Sequence, residues 1–506
     1  MFATTAKNIA NTKLTENGAI AYSTTGKVLT DLFAQIGALR PRSANEIESK
    51  FANAFAADPL IATKMLFYCG NIRGGLGERR TFRICLRWLA NNYPHVVIAN
   101  MANIYHFNRW DSMFELIGTP VEKEMWGLIA AQLEEDASTA VRVKNGDPYM
   151  SISLLAKWMP TETASSAKTR KLARKAMTNL GLTPRQYRKL ISALRKYLNV
   201  TERAMSTGEW STIDYPTVPS YAMKNYRKAF ARNDAERFAA YKASLVKGET
   251  KVNASTLYPY DLVGEVRKTI RCYYDRFTHS YKHTANYDPI IEEQWKALPN
   301  YVSGENNILI MADVSGSMEC SGGRPMNTSI GLATYFAQRN KGEYHNLYMT
   351  FTNEPHFIAL REGATLADAV STVVSTDIGY NTNLEKAFMY ILNHAVTNHI
   401  SNFDLPAALV VVSDMEIDNY ARYRGFNFVD EMKARFAAYG YTMPKLVCWN
   451  VEARNDTFLS QSDDVVLVSG QSVSTFKNLC SSLDGKTAWE FMMDVLGDPM
   501  YDCVGI

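Results

Sequence analysis

The feature that most constrains the fold is an unbroken apolar run, Ala407–Val412, within a succession of short apolar segments and amphipathic helical patterns. An apolar run of this length is typical of a central strand in a parallel sheet, because both faces of such a strand are covered. Asn307–Ala312 has the same character. Alternating strands and helices predict a mainly parallel sheet between two helical layers. We therefore predict an α/β doubly wound (Rossmann-like) domain over residues 305–506.

The N-terminal part of the chain has a different pattern and the opposite charge. With 506 residues, the chain is too long for one ordinary hydrophobic core. Residues 301–506 hold 13 Lys+Arg and 24 Asp+Glu, a net charge of −11, whereas residues 1–300 hold 42 and 27, a net charge of +15. From about residue 28, apolar residues recur at helical spacing between short breaks. We predict a loosely ordered N-terminus (1–16), an all-α helical-repeat (HEAT-like) domain (17–300) with a linker at about 280–304, and the α/β domain (305–506).

Hydroxyl and carboxylate side chains follow both predicted central strands. Asp313-Val-Ser-Gly-Ser317 comes directly after the first apolar run, and Ser413-Asp414 comes directly after the second. In a doubly wound sheet, ligands bind where the carboxyl ends of the strands meet. Thr382, just before a predicted helix, offers a third hydroxyl, and oxygen ligands of these kinds suit Mg²⁺. The alternative is that the hydroxyls only cap helices and that Asp414 only forms a turn.

The order of D-x-S-x-S, a later Thr and a strand-end Asp resembles the metal-ion-dependent adhesion site (MIDAS) of von Willebrand factor A (vWA) domains. The resemblance implies binding of Mg²⁺, or another divalent cation such as Mn²⁺ or Ca²⁺, with an open coordination position that a carboxylate of a partner protein can fill. The ligands it implies are Asp313, Ser315, Ser317, Thr382 and Asp414. No His or Lys accompanies them as a base, so we expect no enzyme activity. We expect Glu416 and Asp418, which follow closely, to lie in a solvated loop.

Positive charge is concentrated in one helical segment. Between Lys168 and Arg203 there are eleven Lys/Arg and one acidic residue. A helix is predicted to begin there at Thr183, which starts a capping box with Gln186. Such a cationic surface can hold the phosphates of RNA, although a solvated face or a docking face for the acidic part are alternatives. The candidate RNA-binding residues are Arg170, Lys171, Arg174, Lys175, Arg185, Arg188, Lys189, Arg195, Lys196, Lys224, Arg227 and Lys228.

Other features speak against a secreted, membrane or nucleotide-binding protein. The seven cysteines are odd in number and form no C-x-x-C pair, which fits reduced thiols in the cytoplasm. The N-terminus has no signal pattern, and no apolar run approaches the roughly 20 residues that span a bilayer. The Gly-rich segment Arg73–Arg80 lacks a Gly-Lys-Ser/Thr ending, so it predicts a turn between helices.

A basic helical domain followed by a vWA domain resembles the TROVE/Ro family, whose members bind small noncoding and misfolded RNAs. Similarity to a bacterial and viral branch related to Ro proteins rests on Ser23–Gly26, Asp31–Phe33, Ile72–Arg79, Arg109–Asp111, Lys196–Asn199, Met223–Lys228 and Leu257–Asp261. The resemblance implies helical repeats that close into a ring against the vWA domain and bind single-stranded RNA. We expect a non-enzymatic RNA-binding protein of a ribonucleoprotein. The alternatives are a metal-dependent protein-interaction or assembly factor, for example a viral one, and a metal-dependent nuclease.

Overall fold

The described residues form two compact units. In the computed structural model, these residues are 11–18, 20–276, 279–302, 304–352, 354–375, 382–417, 428–459, 465–482 and 486–506. One unit, the sheet unit, contains the described residues up to Thr81 and those from Ala254 to Asp502. The other, the helical unit, contains Phe82–Asn253 and Cys503–Ile506.

Ten strands lie in the described residues, all of them in the sheet unit. They are β1 (Thr12–Leu14), β2 (Ile20–Tyr22), β3 (Arg271–Asp275), β4 (Ser280–Thr284), β5 (Ile308–Asp313), β6 (Leu347–Phe351), β7 (Phe357–Ala359), β8 (Ala408–Ser413), β9 (Lys445–Asn450) and β10 (Val466–Ser469). Six of them form one sheet in the order β10-β9-β8-β5-β6-β7. Its strands are parallel except for β7, which forms an antiparallel hairpin with β6. Strands β1–β2 and β3–β4 form two separate antiparallel pairs.

Helices make up most of the remaining described structure. The α-helices of the sheet unit are Val28–Phe33, Ala44–Ala57, Pro59–Gly70, Pro259–Arg267, Pro289–Lys296, Cys320–Arg339, Leu366–Ser375, Leu384–Thr397, Phe428–Ala438, Thr475–Ser482 and Ala488–Leu496, and Arg79–Asn92 begins there. Those of the helical unit are Pro94–Ala99, Met101–Phe107, Glu122–Lys144, Leu155–Trp158, Ala167–Asn179, Pro184–Tyr197, Thr201–Thr207, Ser220–Asn233 and Ala235–Val246. Short 3₁₀ helices are Trp110–Leu116, Trp210–Thr212, Tyr215–Thr217, Gly316–Glu319, Gly342–Tyr344 and Pro499–Tyr501. Within the described residues, none of these helices has the length and apolar character needed to cross a membrane.

The central strands β5 and β8 are buried along their whole length. On one face, they pack with the helices Leu384–Thr397 and Phe428–Ala438 into one apolar cluster. On the other face, Ser329 of the helix Cys320–Arg339 donates a hydrogen bond to the carbonyl oxygen of Val412 at 3.2 Å. Helices therefore cover both faces of these strands, which leaves their carboxyl ends as the place where polar side chains emerge.

The coarse prediction of a mainly helical N-terminal part and an α/β C-terminal part is confirmed. The mainly parallel sheet, the capping box at Thr183 and the Gly-rich turn between the helices Pro59–Gly70 and Arg79–Asn92 are also present as predicted. Assignment of the helices to HEAT-like repeats, and of the sheet to a vWA domain, stays a prediction.

The region from residue 271 to 304 differs from the prediction. It contains the hairpin β3–β4 and the helix Pro289–Lys296, where the sequence predicted helix and then linker. The dipeptide Asp288-Pro289 is the N-terminus of that helix, because the Asp288 carboxylate accepts a hydrogen bond from the Ile290 amide at 3.0 Å. The same residues also occur in turns, so composition alone did not distinguish the two structures.

Two helices of the sheet unit cross at unusually short range. A Cβ atom on Gly331 of the helix Cys320–Arg339 would lie 2.8 Å from Cβ of Pro259, which begins the helix Pro259–Arg267. Nearby, the Arg267 guanidinium donates a hydrogen bond to the Asn327 side-chain oxygen at 2.8 Å. Glycine is required at the crossing because any larger residue would push the helices apart.

We predict opposite effects of two glycine-to-alanine substitutions. Gly331→Ala overpacks the crossing and lowers the free energy of unfolding by about 1–3 kcal/mol. Gly127→Ala is the matched control, because Gly127 lies on the exposed side of the helix Glu122–Lys144 with nothing within 4 Å of a new Cβ atom. Alanine there raises the free energy of unfolding by about 0.5–1 kcal/mol, because alanine favours a helix more than glycine does. Urea denaturation measures the free energy of unfolding of both variants. An unchanged value for Gly331→Ala would contradict the close crossing.

Candidate functional site

A carboxylate and two hydroxyls meet at the carboxyl end of β5. Asp313 is fully buried, and its Oδ1 atom accepts a hydrogen bond from the Ser315 amide at 2.9 Å. The Oγ atoms of Ser315 and Ser317 lie 3.1 Å apart. The backbone is extended at Ser315 and then enters the 3₁₀ helix Gly316–Glu319. The loop therefore turns close to Asp313 and places both hydroxyls beside one another.

The second carboxylate follows the neighbouring parallel strand, β8. Pairing of Ala312 with Val412 brings the two strand ends together. The Ser413 hydroxyl then donates a hydrogen bond to Asp313 Oδ2 at 2.5 Å. Asp414 is buried next to it, with 1% of its surface exposed. Sequence reasoning placed Asp414 at this edge but did not foresee that Ser413 would contact Asp313.

The two carboxylates influence each other electrostatically. Burial raises the pKa of Asp313 to about 7, and the negative charge of Asp414 contributes to this rise, whereas hydrogen bonds from Ser315 and Ser413 oppose it. Two buried like charges are unfavourable unless a proton or a cation compensates one of them. The Asp313 side of the site therefore favours compensation by a proton or a cation.

Arg454 provides a positive charge that the sequence analysis missed. Its Nη2 atom lies 2.7 Å from Asp414 Oδ2, and its Nη1 atom lies 2.9 Å from Glu16 Oε2. Arg454 follows β9, which is parallel to β8. Residues that follow these two strands emerge at the same edge of the sheet, and this was the signal that could have placed Arg454 near Asp414. Within the part of the chain that the structure describes, Asp313 has no ion pair. Arg454 thus compensates Asp414, while Asp313 is left with hydrogen bonds alone.

Glu416 is buried, so the prediction of a solvated loop is wrong for this residue. Its carboxylate accepts hydrogen bonds from the Glu16 amide at 2.7 Å and from the side chains of Asn455 and Thr457 at 3.2 and 3.3 Å. The reason is that residues near the N-terminus cover this loop, a contact between distant parts of the chain. Asp418 lies outside the described residues.

Thr382 is buried just before the helix Leu384–Thr397. The next residue, Asn383, caps this helix by accepting a hydrogen bond from the Lys386 amide at 2.8 Å. Residues 376–381 lie outside the described residues, and the role of Thr382 as a ligand stays a prediction. Among the described residues, no group of three or more His, Cys, Asp or Glu could hold a metal ion. A cation at this edge would therefore depend on serine and threonine hydroxyls as well as carboxylates.

One predicted RNA-binding residue, Arg195, has a structural role in the helical unit. Its guanidinium donates hydrogen bonds to the carbonyl oxygens of Ala156 and Met159 at 2.9 and 2.6 Å, and to Thr161 Oγ1 at 3.0 Å. Burial lowers the pKa of Arg195. Arg195 therefore holds the helix Leu155–Trp158 and the segment that follows it.

Five further candidates also have partners within the protein. Arg170 and Arg227 donate hydrogen bonds to backbone carbonyls, and Lys175 and Arg188 form ion pairs with glutamates. Lys224 is buried, with its Nζ atom 5.0 Å from the centroid of the Tyr221 ring. Such contacts occupy part of the hydrogen-bonding capacity of these side chains.

The remaining six candidates are solvent-exposed and have no ion pair among the described residues, and they are called the exposed cation cluster for these shared properties. They lie on the helices Ala167–Asn179, Pro184–Tyr197 and Ser220–Asn233. They are Lys171, Arg174, Arg185, Lys189, Lys196 and Lys228. Their charges face water without compensation, which distinguishes them from the other six.

Two stacked tyrosines, one of them exposed, lie at the end of the helix Pro184–Tyr197. Tyr149, with 75% of its surface exposed, stacks on Tyr197 with ring centroids 5.8 Å apart and an interplanar angle of 6°. The Tyr197 hydroxyl donates a hydrogen bond to the Met150 carbonyl at 2.5 Å, which fixes the ring. Tyr187 is buried, so its ring is not available to stack on a base. Tyr149 was missed because it lies in a segment without periodicity.

Comparison with known proteins gives relatives along nearly the whole chain. A protein of Acanthamoeba polyphaga mimivirus, described as uncharacterized, is 29% identical over 511 residues, which cover 93% of this chain and 84% of that protein. The crystal structure of the Deinococcus radiodurans RO (RSR) protein matches with a TM-score of 0.36 and 14% identity, over 94% of this chain and 95% of that chain.

Two protein families match different parts of the chain. Residues 307–490 match "Domain of unknown function (DUF7788)", a span that includes β5 and the residues of the candidate metal site. Residues 15–110 and 124–306 match "Domain of unknown function (DUF2828)". Because this second match covers more than half of the sequence, the chain belongs to the DUF2828 family.

Proposed function

We propose that this protein binds small noncoding or single-stranded RNA without cleaving it, and that the exposed cation cluster is its main phosphate-binding surface. The observation that carries the proposal is the set of six exposed cations without ion pairs on three helices. Cationic side chains that neutralise phosphates release counterions, and this release supplies much of the affinity for nucleic acids. An ion-paired cation contributes less to the affinity for RNA, because it must first give up its partner. A buried cation contributes less because a phosphate cannot reach it.

The stacked pair Tyr149 and Tyr197 supports a single-stranded ligand. An exposed tyrosine ring, already ordered by a second ring, offers a face on which an unpaired base can stack. The neighbouring residue Lys196 is exposed and can contact the adjoining phosphate. This combination agrees with the kind of RNA that the resemblance to Ro proteins implies.

We further propose that Asp313, Ser315 and Ser317 bind a divalent cation, most suitably Mg²⁺, together with Thr382 and Asp414. The chemistry of these side chains fits the ion, because hard cations prefer carboxylate and hydroxyl oxygens. The electrostatics also fit, because burial and the negative charge of Asp414 both disfavour ionisation of Asp313. A bound cation would supply the positive charge that Asp313 lacks.

We predict that loss of three exposed cations weakens RNA binding. The variant Lys171→Ala/Arg174→Ala/Lys189→Ala should bind single-stranded RNA at least about tenfold more weakly at low salt. The slope of log affinity against log salt should fall by about 2, since three phosphate contacts are lost. Filter binding across a salt series measures both quantities.

The control is Lys247→Ala/Lys251→Ala, which removes two positive charges from exposed positions of the helical unit beyond the three helices of the cluster. It should bind nearly as well as the wild type. Equal weakening in both variants would mean that only the net charge matters, and no binding by the wild type at roughly 50 mM salt would disprove RNA binding. Labelled RNA should stay intact with Mg²⁺ or Mn²⁺, and cleavage would favour a nuclease.

We predict that Mg²⁺ stabilises the wild type and not its ligand variants. At a Mg²⁺ concentration 100 times the dissociation constant, the gain in unfolding free energy is about 2.7 kcal/mol. Ser317→Ala and Asp414→Asn should lose this gain, whereas the exposed Ser401→Ala should keep it. Thermal unfolding with Mg²⁺ or EDTA is the measurement, and an unchanged response in Asp414→Asn would contradict the proposed ligand set.

We predict that stability in EDTA falls as the pH rises. The folded state keeps the Asp313 proton up to about pH 7, while the unfolded chain loses it near the ordinary value of 3.8. Between these values the folded state binds more protons, so the unfolding free energy decreases with pH and then levels off. Urea denaturation at pH 5 and pH 8 should show this loss in the wild type and a smaller loss in Asp313→Asn. An identical pH dependence in the two proteins would show that Asp313 does not take up the proton.

A further inference from the structure

The hairpin β3–β4 exposes an unusual amount of aromatic surface. Tyr273 and Tyr274 each have 49% of their surface exposed, and Tyr281 on the opposite strand has 67%. Large aromatic side chains are normally buried in a core or an interface, because their exposure forfeits hydrophobic stabilisation. Clustered exposed apolar surface marks an interaction site. The hairpin lies outside both the candidate metal site and the exposed cation cluster.

The strand register distributes these rings over both faces of the hairpin. Tyr273 pairs directly with Lys282, and Arg271 lies two residues before Tyr273, so the three share one face. Tyr274 pairs with Tyr281 on the other face, with ring centroids 5.3 Å apart and an interplanar angle of 67°. One face therefore carries a ring between cations, and the other carries an edge-to-face ring pair.

The charge of the hairpin favours a polyanionic ligand. Its described residues include the cations Arg271, Arg276 and Lys282, and Asp275 is their only carboxylate. Asp275 forms an ion pair with Lys282. Arg271 and Arg276 are exposed and have no ion pair among the described residues. Net positive charge beside exposed rings is the combination that binds single-stranded nucleic acid, with bases on the rings and phosphates on the arginines.

The hairpin is anchored to the sheet unit. The His283 amide donates a hydrogen bond to Ser375 Oγ at 3.2 Å, and the Ala285 amide donates one to Ser371 Oγ at 3.0 Å. Both serines belong to the helix Leu366–Ser375. An isolated two-stranded hairpin is only marginally stable in water, so this attachment helps to hold the rings in place. Ordered rings lose less conformational entropy when a base stacks on them.

We propose that β3–β4 is a second RNA-contact surface, on which Tyr273 and Tyr281 stack unpaired bases while Arg271 and Arg276 contact the phosphates. This inference rests on the proposed RNA-binding function and adds to it a surface in the sheet unit. It also specifies the ligand as single-stranded, since the faces of paired bases in a duplex are covered by their neighbours.

The test compares ring removal with ring retention in the full-length protein. Fluorescence anisotropy with a labelled, unstructured 20-nucleotide RNA should show binding weakened about tenfold for each lost ring in Tyr273→Ala/Tyr281→Ala. Tyr273→Phe/Tyr281→Phe should bind like the wild type. The salt slope should be unchanged in both variants, because neither removes a phosphate contact. Tyr439→Ala, which removes a tyrosine exposed to 61% elsewhere in the sheet unit, is the control and should bind normally.

The outcomes separate this inference from the proposed function. Wild-type affinity in the double alanine variant would overturn the hairpin surface and leave RNA binding in place, whereas no binding by the wild type would overturn both. Equal loss in the phenylalanine variant would overturn base stacking. If the alanine variant unfolds, ultraviolet crosslinking of the wild type to 4-thiouridine RNA decides the question. Crosslinks in the peptide 271–284 support the inference, and crosslinks confined to the helical unit overturn it.

Discussion

The burial of Asp313 beside Asp414 is the constraint on which the sheet unit's candidate site depends. Parallel pairing of β5 and β8 places both carboxylates at one sheet edge, and burial removes them from water. Ionised groups in such surroundings need compensation by charge as well as by hydrogen bonds. Arg454 compensates Asp414, and the surrounding serines donate hydrogen bonds to Asp313. The remaining negative charge is the physical reason for expecting a proton or a divalent cation here.

Sequence reasoning succeeded where the signal is local. The apolar runs correctly predicted the central strands. The position of D-x-S-x-S predicted that the first part of the candidate site lies at the end of β5, because residues that follow a strand must emerge at its end. Arg454 and Glu416 were missed or misjudged because their environments depend on chain segments far away in sequence. Glu416 is covered by residues near Glu16, 400 positions earlier, which no local pattern reveals.

Prediction from the sequence is limited in a similar way for the basic residues. The sequence identifies twelve cations in the basic segments, but it does not distinguish an arginine that holds a loop from one that faces solvent. Arg195 donates three hydrogen bonds, to Ala156, Met159 and Thr161, whereas Arg185 is exposed without an ion pair among the described residues. Contacts within the protein therefore occupy half of the predicted RNA-binding residues, and the other half are exposed and available to bind phosphate. The tyrosines of β3–β4 were overlooked for a related reason, since the sequence does not show which aromatic residues are left outside a core.

Whether RNA accompanies the protein in its own cell tests the central claim most directly. The measurement is ultraviolet crosslinking in intact cells, purification of the protein under denaturing conditions, sequencing of the attached RNA and mass spectrometry of attached protein. The account predicts covalent RNA adducts on the wild type and far fewer on a protein without the six exposed cations. Recovery without RNA, together with a protein partner whose association in native extracts is lost in EDTA, would contradict it and favour a metal-dependent assembly factor.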